Sequence, residues 1–120
     1  MHPTFFNLDA LEGGVERQLS DGMKTTVFVG ENVMISIVEA APGAAGKIHA
    51  HPEEQWGFLI EGSGTRIQNG ERIAVSKGAF WQTPGNVEHG FEAGPDGAKV
   101  IDVFSPPRDA YRKAGAGFGS

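Results

Sequence analysis

Three histidines and a glutamine are the residues of this sequence best placed to do chemistry. His49 and His51 stand at i and i+2, Gln55 comes four positions after His51, and His89 arrives from a separate segment. Side chains alternate along a strand, so His49 and His51 present their imidazoles on one face. A shallow bend at Pro52 brings Gln55 onto that face, and His89 from a distant strand completes a shell of four ligands. Imidazole nitrogens suit Zn, Ni, Fe, Mn or Cu, and an amide oxygen adds a hard donor. The expected cofactor is therefore one divalent metal ion per chain, its identity open among Zn, Ni, Fe and Mn. An alternative role for Gln55 is a hydrogen bond to a bound water. Glu53 and Glu54 compete with it as oxygen donors. Glu54 alternates to the opposite face and Glu53 sits in the bend, so both read as solvent-facing charges. His2, beside Met1, falls outside the pattern.

The donor set has an electrostatic consequence. Four neutral ligands leave the charge of a divalent ion uncompensated, so the ion attracts anions and polarises oxygens strongly. This favours Lewis-acid chemistry on a carboxylate-bearing molecule over the carboxylate-containing iron sites of many oxygenases.

A second segment runs from Asp102 through Phe104 and Pro106-Pro107 to Arg108. In a strand over 99–104, Val100, Asp102 and Phe104 share one face, and Ile101 and Val103 share the other. A carboxylate aimed inward is costly unless it is paired or chemically used. Asp102, Phe104 and Arg108 are thus candidates. The competing structural roles are a rim ion pair for Asp102, ordinary core for Phe104 and a surface position for Arg108.

The elements that must position these residues are short strands. Eighteen glycines and seven prolines in 120 residues, with turn signals every eight to twelve positions, point to an all-β chain. Asp21-Gly22 joins strands over 15–20 and 23–29, and Asn69-Gly70 joins strands over 65–68 and 71–75. Further strands are expected over 33–40, 47–51, 55–61, 79–83, 87–92 and 99–104. Gly62-Ser63-Gly64 and Gly94-Pro95-Asp96-Gly97 read as turns. A short helix is expected over 108–113, and the glycine-rich stretch 115–120 reads as mobile. About ten antiparallel strands of this kind form a double-sheet jelly-roll barrel. The organisation expected is an N-terminal segment over 1–13, a barrel domain over 14–112 and a flexible tail over 113–120.

Composition bounds the function. The chain is long enough for one core and too short for two. A net charge of −5 and a pI near 5.3 argue against nucleic acid as a partner. The absence of cysteine excludes disulfides, thiolate zinc sites and a thiol nucleophile. Residues 1–14 hold no basic leader with an apolar stretch behind it, and no apolar run reaches membrane-spanning length. A cytoplasmic protein without a membrane partner is the expectation.

The spacing also resembles the two motifs of the cupin superfamily: Gly43, His49, His51, Gln55 and Gly62, then Gly78, Pro84 and His89. Those motifs usually carry Glu where this chain has Gln55, Gly where Asn86 stands and Asn where Ala93 stands. Within the superfamily, His49, His51, Pro52, Glu54 and Gln55, then Ile60-Glu61-Gly62, Val87-Glu88-His89-Gly90 and the segment from Asp102 to Asp109, resemble small single-domain cupins of the pectin degradation protein family. The likeness runs from about Gly14 to Tyr111. It implies a metal held by His49, His51, Gln55 and His89, with Asp102, Phe104 and Arg108 as the catalytic and binding set. It also implies ring opening of 4,5-unsaturated uronates, small anionic sugar acids. Two alternatives are a non-haem iron dioxygenase and a non-catalytic small-molecule-binding cupin. A homodimer is expected, with the apolar stretch Thr4-Phe5-Phe6-Asn7-Leu8 packed on the partner or on the outer sheet.

Overall fold

Alternating apolar and polar residues, cut by Gly and Asn turns, build eight strands in the computed structural model, which describes residues 2–118. They are β1 (Val15–Ser20), β2 (Met23–Val29), β3 (Met34–Ala40), β4 (Glu54–Gln68), β5 (Glu71–Ser76), β6 (Phe80–Thr83), β7 (His89–Ser105) and β8 (Gly115–Ala116). The order is β5-β4-β7-β3-β2-β1-β8, with β6 paired to β4. The fold is the all-β jelly-roll barrel expected from the sequence. Asn69 and Gly70 both adopt positive φ, 49° and 82°, as a two-residue hairpin turn requires.

Two strands are longer than the sequence suggests. The positions read as turns at Gly62-Ser63-Gly64 and at Gly94 to Gly97 lie inside β4 and β7, which pair from Glu54↔Ser105 to Gln68↔His89. Register shifts between Leu59 and Glu61 and between Gly62 and Gly64 let the pair bend around the barrel. Gly62 sits at φ 83°, and a Cβ there would lie 2.0 Å from the Gly97 carbonyl oxygen. Only glycine fits that approach. The expected strand over 47–51 is reduced to an isolated bridge at His49, and the expected helix is one 3-10 turn, Asp109–Arg112.

Val27, Met34, Leu59, Val100 and Phe104 meet inside the barrel, each at most 4% exposed. Burying each contributes about 1.5–3 kcal/mol. The outer face is apolar as well. Trp56 lies opposite Val103, and Phe58 lies opposite both Ile101 and Phe80. The segment holding Phe6 and Leu8 lies on its own sheet. Phe6 packs on Phe28 at 4.6 Å, and Lys99 Nζ donates to the Leu8 carbonyl at 2.5 Å.

Candidate metal centre

Backbone pairing brings the two histidine segments together. His49 and His89 form an isolated antiparallel bridge, each amide donating to the other's carbonyl at 3.0 and 2.9 Å. His51 follows two residues after His49, and past Pro52 the chain enters β4, whose second residue is Gln55. Gln55 pairs with Phe104 on β7 and Thr83 on β6 and is 3% exposed. The ligand nitrogens of His49, His51 and His89 lie within 4.8 Å of one another.

Hydrogen bonds fix the orientation and tautomer of all three rings. His49 Nδ1 donates to the Lys47 carbonyl at 2.9 Å, His51 Nδ1 to the Glu53 carbonyl at 3.1 Å and His89 Nδ1 to the Val87 carbonyl at 2.8 Å. A carbonyl only accepts, so each Nδ1 carries the proton and each Nε2 keeps its lone pair. Burial pulls His49 down to about 4 and His89 to about 3, with the charge of Arg66 adding to both. His51 is lowered too, by burial first and then by Arg108. All three imidazoles are therefore neutral at pH 7, the form that binds metal.

The donors fit a cation. His89 Nε2 is buried with no hydrogen-bond partner, a condition that costs about 1–3 kcal/mol if left unsatisfied. Gln55 Oε1 lies 3.0 Å from His51 Nε2. Two acceptors so close repel unless a cation stands between them, and ligand atoms about 2.1 Å from one ion, at right angles, lie about 3 Å apart. The Gln55 side chain is also hydrogen-bonded to Asp102. A carboxylate accepts from the amide nitrogen, which turns the amide oxygen toward the imidazoles.

Asp102 lies opposite Gly57 and lines a cavity of about 40 Å³ together with His49, His89, Gln55, Arg66 and Arg108. Its Oδ1 is buried without a partner. Burial pushes its carboxyl above the ordinary range, opposed by Arg66, Gln55 and Arg108. Phe104 stands edge-on to His51 at 5.5 Å and to Tyr111 at 5.8 Å. Arg108 is 3% exposed, with its guanidinium 4.2 Å over the Tyr111 ring and its Nη1 buried without a partner. Burial pushes the Tyr111 phenol up to about 12, so it stays protonated.

Two further side chains turn toward the site against the alternation of the sequence, Arg66 and Glu53. Arg66 is 5% exposed, donates from Nη2 to Thr83 Oγ1 at 2.8 Å and lies 5.3 Å over the Trp81 ring. Burial lowers it to about 10, against the pull of Asp102, so it remains a cation. Counting by twos from Gln55 puts Arg66 on the outer face; the shifted register near Gly62 turns it inward. Glu53, expected to face solvent, instead turns its carboxylate to 3.4 Å from His51 Nδ1 and 4.0 Å from Arg108 Nε. The bend at Pro52 that delivers Gln55 also turns Glu53 inward. Glu54 does face out, bonded to Trp56 and Gln82.

The chain is similar to known proteins in sequence and in fold. The Cupin domain family model matches residues 36–104. Pectin degradation protein KdgF of Dickeya dadantii (strain 3937) is 30% identical over 93 residues, spanning 76% of this chain and 84% of that protein. The structure of KdgF from a Halomonas species superposes with a TM-score of 0.77 at 26% identity, covering 91% of this chain and 97% of that one. An RmlC-like cupin from Shewanella frigidimarina also gives 0.77, at 25% identity, covering 91% and 95%. The family match spans more than half of the sequence and includes His49, His51, Gln55 and His89, and with the barrel itself it shows that the chain belongs to the cupin family.

Proposed function

We propose that the protein is a cytoplasmic, metal-dependent enzyme that opens the ring of 4,5-unsaturated monouronates. The observation that carries this reading is the charge of the cavity. Its candidate metal donors are all neutral and it buries two guanidiniums, while among the described residues Asp102 is the carboxylate that lines it and Glu53 stands 4.0 Å from Arg108. With a divalent ion in place, its charge and the two guanidiniums outweigh these two carboxylates, so a ligand that brings negative charge is favoured. The name of the Dickeya relative supports a uronate as that ligand.

His49, His51, Gln55 and His89 would hold the ion, which supplies Lewis-acid polarisation of substrate oxygens. Arg108 presents its unpartnered Nη1 to the substrate carboxylate. Phe104 and Trp81 wall the cavity against the carbon face of the ring. Asp102 takes the proton of the C1 hydroxyl. The bond from C1 to the ring oxygen then breaks, its electron pair leaves with that oxygen as the C5 enolate, and the proton returns at C4. The product is the open aldehyde and C5 ketone, an isomer of the substrate made without oxidant or water.

A substrate comparison tests the reading. Unsaturated galacturonate is expected to lose its ultraviolet absorbance, while saturated galacturonate stays unchanged by NMR. Equal inertness of both toward metal-loaded protein would refute it.

We also propose a homodimer, built on the outer face that holds Trp56, Phe58 and Phe80, the last 63% exposed. Large aromatic patches of this kind mark association surfaces. Light scattering at micromolar concentration is expected to give twice the chain mass, and a monomer mass would overturn the assignment.

A further inference from the structure

The stretch after the 3-10 turn, expected to be a flexible tail, instead has an anchored place as far as Phe118; residues 119 and 120 lie outside the described residues. β8 runs parallel to β1, with Arg17 opposite Gly115 and Gln18 opposite Ala116. The Arg17 guanidinium reaches four main-chain carbonyls, those of Ala110, Lys113, Ala116 and Gly117, at 3.1, 3.3, 2.7 and 2.8 Å. The Gly117 amide donates to the Gln18 carbonyl at 2.8 Å. One side chain thus straps this segment across the barrel mouth.

The strap ends on the metal centre. The Phe118 ring packs on His49 at 4.6 Å and lines the cavity. It fits because residue 46 is glycine, where a Cβ would meet the ring at 2.8 Å. The Phe118 carbonyl accepts from Arg108 Nη2 at 2.5 Å, while Arg108 Nη1 has no partner. So one Nη of the guanidinium is taken and the other is idle, while its Nε faces Glu53 at 4.0 Å. The cavity left beside the strap is partly open and measures about 40 Å³, room for a few waters, whereas pockets for small organic ligands start at about 300 Å³. A sugar enters only if the strap leaves.

We propose that Phe118 determines specificity: its strap plugs the metal cavity, and a ligand enters when its carboxylate takes Arg108 from the Phe118 carbonyl. This rests on the reading of Arg108 as a carboxylate clamp. A carboxylate engages both teeth of the fork with charge-assisted bonds, against one bond to a neutral carbonyl. A neutral sugar has nothing to offer in that exchange and is excluded.

The test follows hydrogen exchange at the Gly117 amide by NMR in the metal-loaded full chain. The probes are galacturonate, galactose and benzoate, the last a ring carboxylate without sugar hydroxyls. Galacturonate is expected to speed Gly117 exchange and galactose to leave it unchanged. Arg17→Ala, which unties the strap from outside the cavity, is expected to raise exchange without ligand. It should also tighten galacturonate binding by about ten-fold, because the closed fraction no longer taxes affinity. Phe118→Ala, which keeps the carbonyl and removes the ring, is expected to tighten binding by less. Slower Gly117 exchange with galacturonate, weaker binding in Arg17→Ala, or no response to either carboxylate would each overturn the plug. Strap release by benzoate but not galacturonate would keep the plug and refute the uronate reading.

Discussion

Asp102→Asn is expected to slow ring opening by about 10²–10⁴-fold, the usual contribution of a positioned general acid/base. The substitution keeps the shape of the side chain and an oxygen that can still accept from Gln55. Gln55 therefore stays oriented, and metal content and thermal stability should be nearly unchanged. What disappears is a group able to take and return a proton at neutral pH. Asp102 is suited to that role because its Oδ1 is buried and unpartnered while Arg66 and Arg108 oppose the effect of burial on its carboxyl. Arg66 and Arg108 also make the carboxylate tolerable inside the barrel. Full activity in Asp102→Asn, with metal content equal to wild type, would remove Asp102 from the proposed mechanism.

His89→Ala is expected to abolish stoichiometric metal binding and reduce ring opening to the rate of metal-free protein. His89 is 2% exposed, its Nδ1 is held by Val87 and its Nε2 has no protein partner. A hydrogen-bonded, neutral, convergent imidazole is a ligand already positioned, and a shell of four neutral donors has no carboxylate to compensate for its loss. Elemental analysis after gel filtration measures the effect directly. Metal at 100 times its dissociation constant stabilises a folded protein by about 2.7 kcal/mol, so added metal should raise the wild-type Tm and leave His89→Ala unmoved. One equivalent of metal retained by the variant would contradict the assignment of His89.

Much of the site was legible because it is written in local spacing. The i and i+2 positions of His49 and His51, the bend at Pro52 and the shared parity of Asp102 and Phe104 are properties of a single extended segment. The barrel class followed from turns such as Asn69-Gly70. Side chains whose direction depends on a register shift or on partners distant in sequence were not legible. Arg66 lies beyond the shift near Gly62, so strict alternation puts it on the outer face. Glu53 faces inward toward Arg108, which is distant in sequence and is brought close by the pairing of Glu54 with Ser105. Glycine content made the stretch after Lys113 look mobile, because composition registers backbone freedom and not the grip of Arg17. Asn86 shows the reverse: a position usually glycine in the cupin motif takes φ 67°, which asparagine tolerates.

The central claim, metal-dependent opening of an unsaturated uronate, is tested most directly by the ultraviolet absorbance of unsaturated galacturonate mixed with the protein under oxygen-free conditions. Metal-loaded protein is expected to bleach the conjugated double bond well above the spontaneous rate. Chelator-treated protein should not, and restoring one equivalent of metal should restore the activity. Bleaching by the chelated protein at the same rate, or a requirement for oxygen, would contradict the account.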